Sequence, residues 1–176
     1  NTPAECDDLG PLGYSYQMRR FGEVYDEDDG GLLQGVDQLA QVVDKLKNDP
    51  NDRRMIVSYW NPPHLCKMAL PPCTVVWAAN VTDGQLHLSW FQRSCDFLLG
   101  GACDIAGMAI MQKLLAVESG LKCGILSALF HDCHIYERQI PAADTLLERG
   151  PAPSTPAMGI KVKDDTDPNY KYSIFT

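Results

Sequence analysis

Two β-rich runs on either side of Thr82-Asp83-Gly84 constrain the fold more than any other feature of the chain. In residues 85–93, Leu86, Leu88 and Trp90 alternate with His87, Ser89 and Phe91. That is the period-two pattern of a strand with two unlike faces. Residues 74–81 read as its partner, and the Asp-Gly step supplies the turn chemistry of a tight hairpin. A chain with this hairpin near its centre is expected to build around a sheet. The long apolar segment 104–119 reads as a buried helix with Asp104 as N-cap and Gly120 as C-cap. Leu39, Val42, Val43 and Leu46 place a second helix near 36–47, ended by Asn48-Asp49-Pro50. Further strands are expected at 55–60, stopped by Asn61-Pro62-Pro63, at 124–134 and at 159–163. A helix at 137–149 carries Pro141 in its first turn. Residues 1–31 read as loops with a short strand around 14–21, and the end of the chain reads as a polar tail.

The 176 residues suit a single domain of α/β (α+β) class, a mixed β-sheet flanked by helices. The formal charge of -8 disfavours nucleic-acid binding, which needs a basic surface. No apolar run reads as long enough to span a membrane, so no membrane partner is expected. Seven cysteines, an odd number scattered without a CxxC pair, argue against a disulfide scaffold and for a reducing, cytoplasmic setting. The Cys123, His131, Cys133, His134 group has poor zinc spacing, and no metal is assigned.

Chemistry concentrates in a few places. Cys73 follows Pro71-Pro72 and precedes a strand, which fixes it at a corner. A free cysteine is most often a buried, inert thiol, but a neighbouring arginine or polar cluster converts one to a reactive thiolate. Arg93-Ser94 closes a strand where an anion clamp is common. Arg53 and Arg54 are adjacent just before a strand, and both can serve one ligand only if the backbone bends there. His134 and Tyr136 alternate on one strand face and can each hydrogen-bond a sugar hydroxyl.

These segments resemble thymidylate synthase and its pyrimidine-modifying relatives. The matching pieces are Asp8-Leu9-Gly10-Pro11, Tyr14-Ser15-Tyr16-Gln17-Met18-Arg19, Asn51-Asp52-Arg53-Arg54-Met55-Ile56-Val57-Ser58, Met68-Ala69-Leu70-Pro71-Pro72-Cys73, Gln92-Arg93-Ser94-Cys95-Asp96, Leu99-Gly100 and Asp132-Cys133-His134-Ile135-Tyr136. The resemblance implies a nucleophile at Cys73 that adds to C6 of a pyrimidine, with Tyr14 near it. It implies phosphate ligands at Arg93 and Ser94, and a homodimer built on the sheet face in which Arg53 and Arg54 reach the partner's phosphate site. It places His134 and Tyr136 at the sugar 3′-hydroxyl, Gln92 and Asp132 in supporting positions, and Asp96, Leu99 and Gly100 on the side of the co-substrate, 5,10-methylenetetrahydrofolate. It also implies an N-terminal portion with a phosphate-loop arginine, a catalytic glutamate and folate-site tryptophans. These residues offer no counterpart to that portion, so the chain is read as lacking it.

Two departures set the functional expectation. Asp104 stands where thymidylate synthases place asparagine, and Thr74 stands where they place histidine. An asparagine amide matches the N3–H and O4 of uracil, whereas a carboxylate accepts from the N4 amino group of cytosine. Both residues resemble the cytidylate hydroxymethylases of phages and nucleoside-antibiotic pathways. The expected function is therefore 5-hydroxymethylation of a pyrimidine nucleoside monophosphate, CMP or dCMP. The alternatives are methylation of dUMP, as in a thymidylate synthase, and an inactive nucleotide-binding paralogue.

Overall fold

The computed structural model describes residues 12–26, 31–33, 35–152, 159–162 and 172–175. In chain order its elements are α1 (Tyr14–Arg20), β1 (Val24–Asp26), β2 (Gly31–Leu33), α2 (Gln38–Asn48), β3 (Ile56–Ser58), α3 (Pro62–Leu65), β4 (Thr74–Thr82), β5 (Gln85–Asp96), α4 (Ala102–Ser119), β6 (Lys122–His134), α5 (Ile140–Arg149), β7 (Gly159–Val162) and β8 (Tyr172–Phe175). The chain divides into two compact units, Asn1–His134 and Ile135–Thr176. Asp8-Leu9-Gly10-Pro11 lies outside the described residues.

The central hairpin forms as its sequence requires. Thr82 pairs with Gln85 across a two-residue turn in which Asp83 and Gly84 have φ of 51° and 71°. Positive φ at both positions matches the right-handed twist of the flanking strands, and Asp-Gly tolerates it. The first unit is a four-stranded sheet in the order β3-β4-β5-β6, antiparallel except for the parallel β5/β6 pair. A parallel neighbour needs a crossover, and α4 is that crossover.

One face of the sheet carries the core. Val57, Trp77, Leu86, Leu88 and Trp90 meet Val42 and Leu46 of α2 and Met108, Leu115 and Ala116 of α4. Trp77 is fully buried, and its indole N–H donates to Tyr59 Oη at 3.0 Å. The opposite face of the sheet carries Val76, Phe91 and Leu129 in lateral register, with Leu129 64% exposed. Near the start of β6 the β5/β6 register shifts at Leu86/Leu88. Buried Gln112 of α4 satisfies the carbonyls freed there, donating to Leu86 O at 2.9 Å and Ile125 O at 3.2 Å.

Several sequence expectations need correction. Residues 14–20 form a helix, not a strand. Tyr14, Gln17 and Met18 recur at helical spacing, and Gln17 is its buried residue. Asp104 is not the N-cap of α4. A π-helical turn, Phe97–Gly101, runs into the helix, so Asp104 sits in its first turn and its carboxylate is used elsewhere. That turn also lengthens the apolar helical stretch to Phe97–Ser119, long and apolar enough to cross a membrane by length and composition. Met108, Gln112, Leu115 and Ala116 of this stretch are buried in the first unit. Strand β3 already ends at Ser58, and Asn61-Pro62-Pro63 instead starts α3, because proline is well suited to a first helical turn. Gly120 caps α4 with φ of 68°, as expected.

The second unit holds a 3-10 turn at Glu137–Gln139, α5 and the antiparallel β7/β8 hairpin, in which Ile160 pairs with Ile174. Strand β8 falls within the segment expected to be a polar tail. Tyr136 stands outside β6, as the N-cap of the 3-10 turn, and so does not share a strand face with His134.

Candidate active site

The open end of the β4/β5 hairpin is where the chemistry gathers. Cys73 is half-buried on the turn into β4, and its carbonyl accepts from Arg93 N at 2.9 Å. The Arg93 side chain holds the same turn. Its Nε donates to Pro72 O at 2.9 Å, an outer guanidinium nitrogen donates to Pro71 O at 3.0 Å, and the cation lies 5.6 Å over the Trp60 ring. Five N–H groups are available on a guanidinium, so Arg93 retains donors beyond those two.

Tyr14 approaches the turn from α1. Its hydroxyl oxygen accepts from Cys73 N at 2.8 Å and from Thr74 N at 3.1 Å. Burial of that hydroxyl raises the phenol above its ordinary value. The Thr74 and Cys73 amides pull it down, while the nearby Cys73 and Asp104 push it up. The phenol therefore stays neutral and keeps a proton to donate. Its ring meets Tyr59 edge-on at 4.9 Å, and Tyr59 is in turn held by the Trp77 indole.

Asp104 enters from the first turn of α4. Gln92 Nε2 donates to Asp104 Oδ2 at 2.7 Å and to Ser94 O at 3.2 Å. Gln92 Oε1 accepts from Trp90 Nε1 at 3.3 Å. An indole N–H can only donate, so the Gln92 amide is oriented with its NH2 toward Asp104. Trp90 donates to Gln92, and Gln92 donates to Asp104, which accepts. The second oxygen of Asp104 makes no hydrogen bond to a described residue. Tyr14, Tyr59, Thr74, Asp104, Met108 and Met111 line an open cleft of ≈ 220 Å³. The sequence pattern marks the methionines as core, but here they also form the cleft's apolar floor.

The parallel pairing of β5 and β6 sets more of the expected residues side by side, Ser94 opposite Asp132 and Asp96 opposite His134. His134 Nδ1 lies 3.4 Å from Asp132 Oδ1. Asp96 accepts from Leu99 N at 3.1 Å, which folds the turn that presents Leu99, 70% exposed. A Cβ added at Gly100 would lie 3.7 Å from Asp104 Oδ2.

The expected arginine pair has partners of its own. The backbone does bend at Arg53, before β3 begins at Ile56, and both arginines are exposed. Arg54 pairs with Asp52 at 3.1 Å, and Asp52 also takes Lys45 Nζ at 3.0 Å. These cations hold the Asp52 carboxyl well below the usual carboxylate range. Tyr136, in the second unit, has Arg138 over its ring at 5.2 Å. Tyr59 was not anticipated from sequence, since an aromatic residue in a β-rich run reads simply as core.

Comparison with known proteins agrees with this geometry. A family model described as thymidylate synthase matches residues 2–175. The thymidylate synthase of varicella-zoster virus (strain Dumas) is 41% identical over 170 residues, covering 96% of this chain and 56% of the viral protein. The thymidylate synthase of human herpesvirus 8 type P (isolate GK18) is 42% identical over 147 residues, covering 83% of this chain and 43% of that protein. The bifunctional dihydrofolate reductase-thymidylate synthase of Paramecium tetraurelia is 42% identical over 147 residues, covering 83% of this chain and 32% of its own length. The chain thus spans about half or less of these curated relatives. A mixed sheet with a helical crossover, a cysteine at the hairpin mouth and a match along nearly the whole sequence lead to one conclusion: the chain belongs to the thymidylate synthase family.

Proposed function

We propose that the protein catalyses folate-dependent one-carbon transfer to C5 of a pyrimidine nucleoside monophosphate, with Cys73 as the nucleophile. The observation that carries this reading is the Tyr14 hydroxyl seated on the Cys73 and Thr74 amides, within the electrostatic reach of both Cys73 and Asp104. It puts a neutral phenol and a carboxylate on one apolar-floored cleft, with the Cys73 backbone held by the phenol at its edge. The Cys73 sulfur bonds to C6, and the C5–C6 electron pair becomes available at C5. C5 then bonds to the incoming carbon and loses its proton, and the bond from that carbon to its donor nitrogen breaks to leave a C5 methylene. Addition of hydride (methylation) or of water (hydroxymethylation) to that methylene would expel the sulfur and restore the ring. Oriented donors and acceptors around the ring act where charge develops.

Asp96, Leu99 and Gly100 would hold 5,10-methylenetetrahydrofolate. The exposed Phe97 and Leu99 side chains beside the Asp96-capped turn suit a planar, partly apolar ring. When bound, the folate supplies the one-carbon unit and, in a methylating reaction, the hydride as well. The uncovered sheet face of Val76, Phe91 and Leu129 supports a homodimer, in which Arg53 and Arg54 reach the partner's phosphate site.

The names of the relatives favour dUMP methylation as the reaction. A second reading, 5-hydroxymethylation of CMP or dCMP, rests on the orientation of Gln92. Because Trp90 fixes Gln92 as a donor, position 104 must present an acceptor to it. Asparagine would meet that need with its oxygen and turn an N–H toward the cleft, which suits uracil O4. Asp104 leaves a second acceptor, which suits the cytosine amino group. A buried acceptor–acceptor mismatch costs about 1–3 kcal/mol, enough to invert a preference. Incubation of the intact protein with CMP, dCMP, UMP and dUMP plus the folate, followed by mass spectrometry, tests both readings. A methyl gain on dUMP establishes the first, and a hydroxymethyl gain on a cytosine nucleotide establishes the second. Absence of any product would defeat the one-carbon reading.

A further inference from the structure

A buried polar cluster between α1 and α3 has no part in the reaction described above. Gln17 on α1 is fully buried, and Asn61 and His64, at the start of and within α3, are 5% and 8% exposed. Gln17 Nε2 lies 3.1 Å from Leu12 O and 3.2 Å from His64 Nδ1. Asn61 Nδ2 lies 3.0 Å from Gln17 Oε1 and 3.2 Å from His64 Nδ1.

The polarity of the cluster follows from one atom. Leu12 O can only accept, so Gln17 directs its NH2 at it and at His64. Gln17 Oε1 must then accept from Asn61, which directs its own NH2 at the same imidazole nitrogen. His64 Nδ1 therefore faces two donors, which makes it an unprotonated acceptor in a neutral ring.

The elements joined here cannot position themselves. Helix α1 has seven residues and no side-chain cap, and α3 has four. Such short helices take their place from tertiary contacts. Helix α1 makes two of them with the segment that leads to Cys73. Tyr14 clamps the Cys73 and Thr74 amides at one end, and Gln17, one turn later, clamps Asn61 and His64 at the other. Gln38 Nε2 fixes the same turn of α1 by donating to Gln17 O at 2.8 Å.

We propose that Gln17, Asn61 and His64 are positioning residues that act through Tyr14 to hold the Cys73 turn in its reactive geometry, with His64 serving as an acceptor at Nδ1. The inference rests on the reading of Cys73 as the nucleophile.

The test measures alkylation of the intact protein by iodoacetamide at neutral pH, resolved by peptide mass spectrometry. The exposed Cys123 is the internal reference for reagent and global opening. His64→Leu keeps two δ atoms but removes the acceptor, whereas His64→Asn places an oxygen where Nδ1 stands. The expected result is a fall in Cys73 alkylation of at least about 10-fold in His64→Leu, since small displacements of reacting groups are costly. Cys123 is unchanged, and His64→Asn recovers most of the loss. Gln17→Met, which keeps helix packing but removes the clamp, gives the same selective loss and stands in for His64→Leu if that variant does not fold. In combination with Tyr14→Phe the effects do not multiply, because both act on one linkage. A Cys73 rate unchanged in folded His64→Leu or Gln17→Met, or fully multiplicative effects with Tyr14→Phe, would overturn the proposal. A Cys73 no more reactive than Cys123 in the unaltered protein would instead overturn its role as nucleophile.

Discussion

The two walls of the candidate site are built on different principles. On the Cys73 wall, side chains hold backbone. Tyr14 accepts from two peptide N–H groups, and Arg93 donates to two peptide carbonyls. On the Asp104 wall, side chains hold side chains, from Trp90 through Gln92 to Asp104. A backbone-held wall fixes where an atom sits and is indifferent to which base is bound. A side-chain relay fixes which end of each group points outward, so a single exchange changes what the wall can read. On the proposed function, the first wall would therefore govern rate, and the second choice of substrate.

The largest effect expected is on the first wall. Cys73→Ala removes the bond-forming sulfur and should lower turnover on the order of 10⁴-fold or more, as loss of a covalent nucleophile does elsewhere. Nucleotide affinity should change little, and isothermal titration with the preferred nucleotide checks this. Strong residual turnover would mean that the thiol is not the nucleophile.

Asp104→Asn comes next and acts on the other wall. It keeps the acceptor that Gln92 requires while reversing the group presented to the base. The ratio of kcat/KM for cytosine over uracil nucleotides should fall by about 10-fold to 100-fold, the worth of one buried polar mismatch. Equal losses on both bases would show that the residue does not read the ring.

Tyr14→Phe should have a smaller effect on rate, about 10-fold, through two peptide donors left without their acceptor. The base ratio should stay constant. A change in that ratio would erase the distinction between the walls.

The sequence discloses these regions unequally. Strands β4 and β5 and helix α4 are legible because burial of Leu86, Leu88, Trp90, Met108 and Leu115 repeats at the period of each element. Helix α1 is not, because its buried residue is a glutamine whose burial makes sense only with Asn61 and His64 around it. The Asn-Pro-Pro step reads as a stop, and that reading hides the histidine directly after it. Asp104 is singled out from the sequence and lines the cleft, but its place in the helix is not legible there, since a π-helical turn has no strong period of its own. Cys95 shows the reverse. Burial pushes its thiol up to about 11, which fits the buried, inert state usual for a free cysteine.

The smallest predicted effect is the one that separates the two walls most cleanly. Trp90→Phe keeps an aromatic ring against Phe130 but removes the indole N–H that orients Gln92. The Gln92 amide is then free to turn its oxygen toward position 104, a presentation that Asp104 rejects while it is charged but a neutral asparagine accepts. In the unaltered background, Asp104 keeps Gln92 in place by itself, and the base ratio should shift by no more than about 3-fold, within the worth of one neutral hydrogen bond. In the Asp104→Asn background, both orientations of the amide pair become available, and the selectivity gained by that exchange should largely disappear. Comparing kcat/KM for the four nucleotides across the two single variants and the double variant measures this coupling. Simple multiplication of the single effects would mean that Trp90 does not set the direction of the relay.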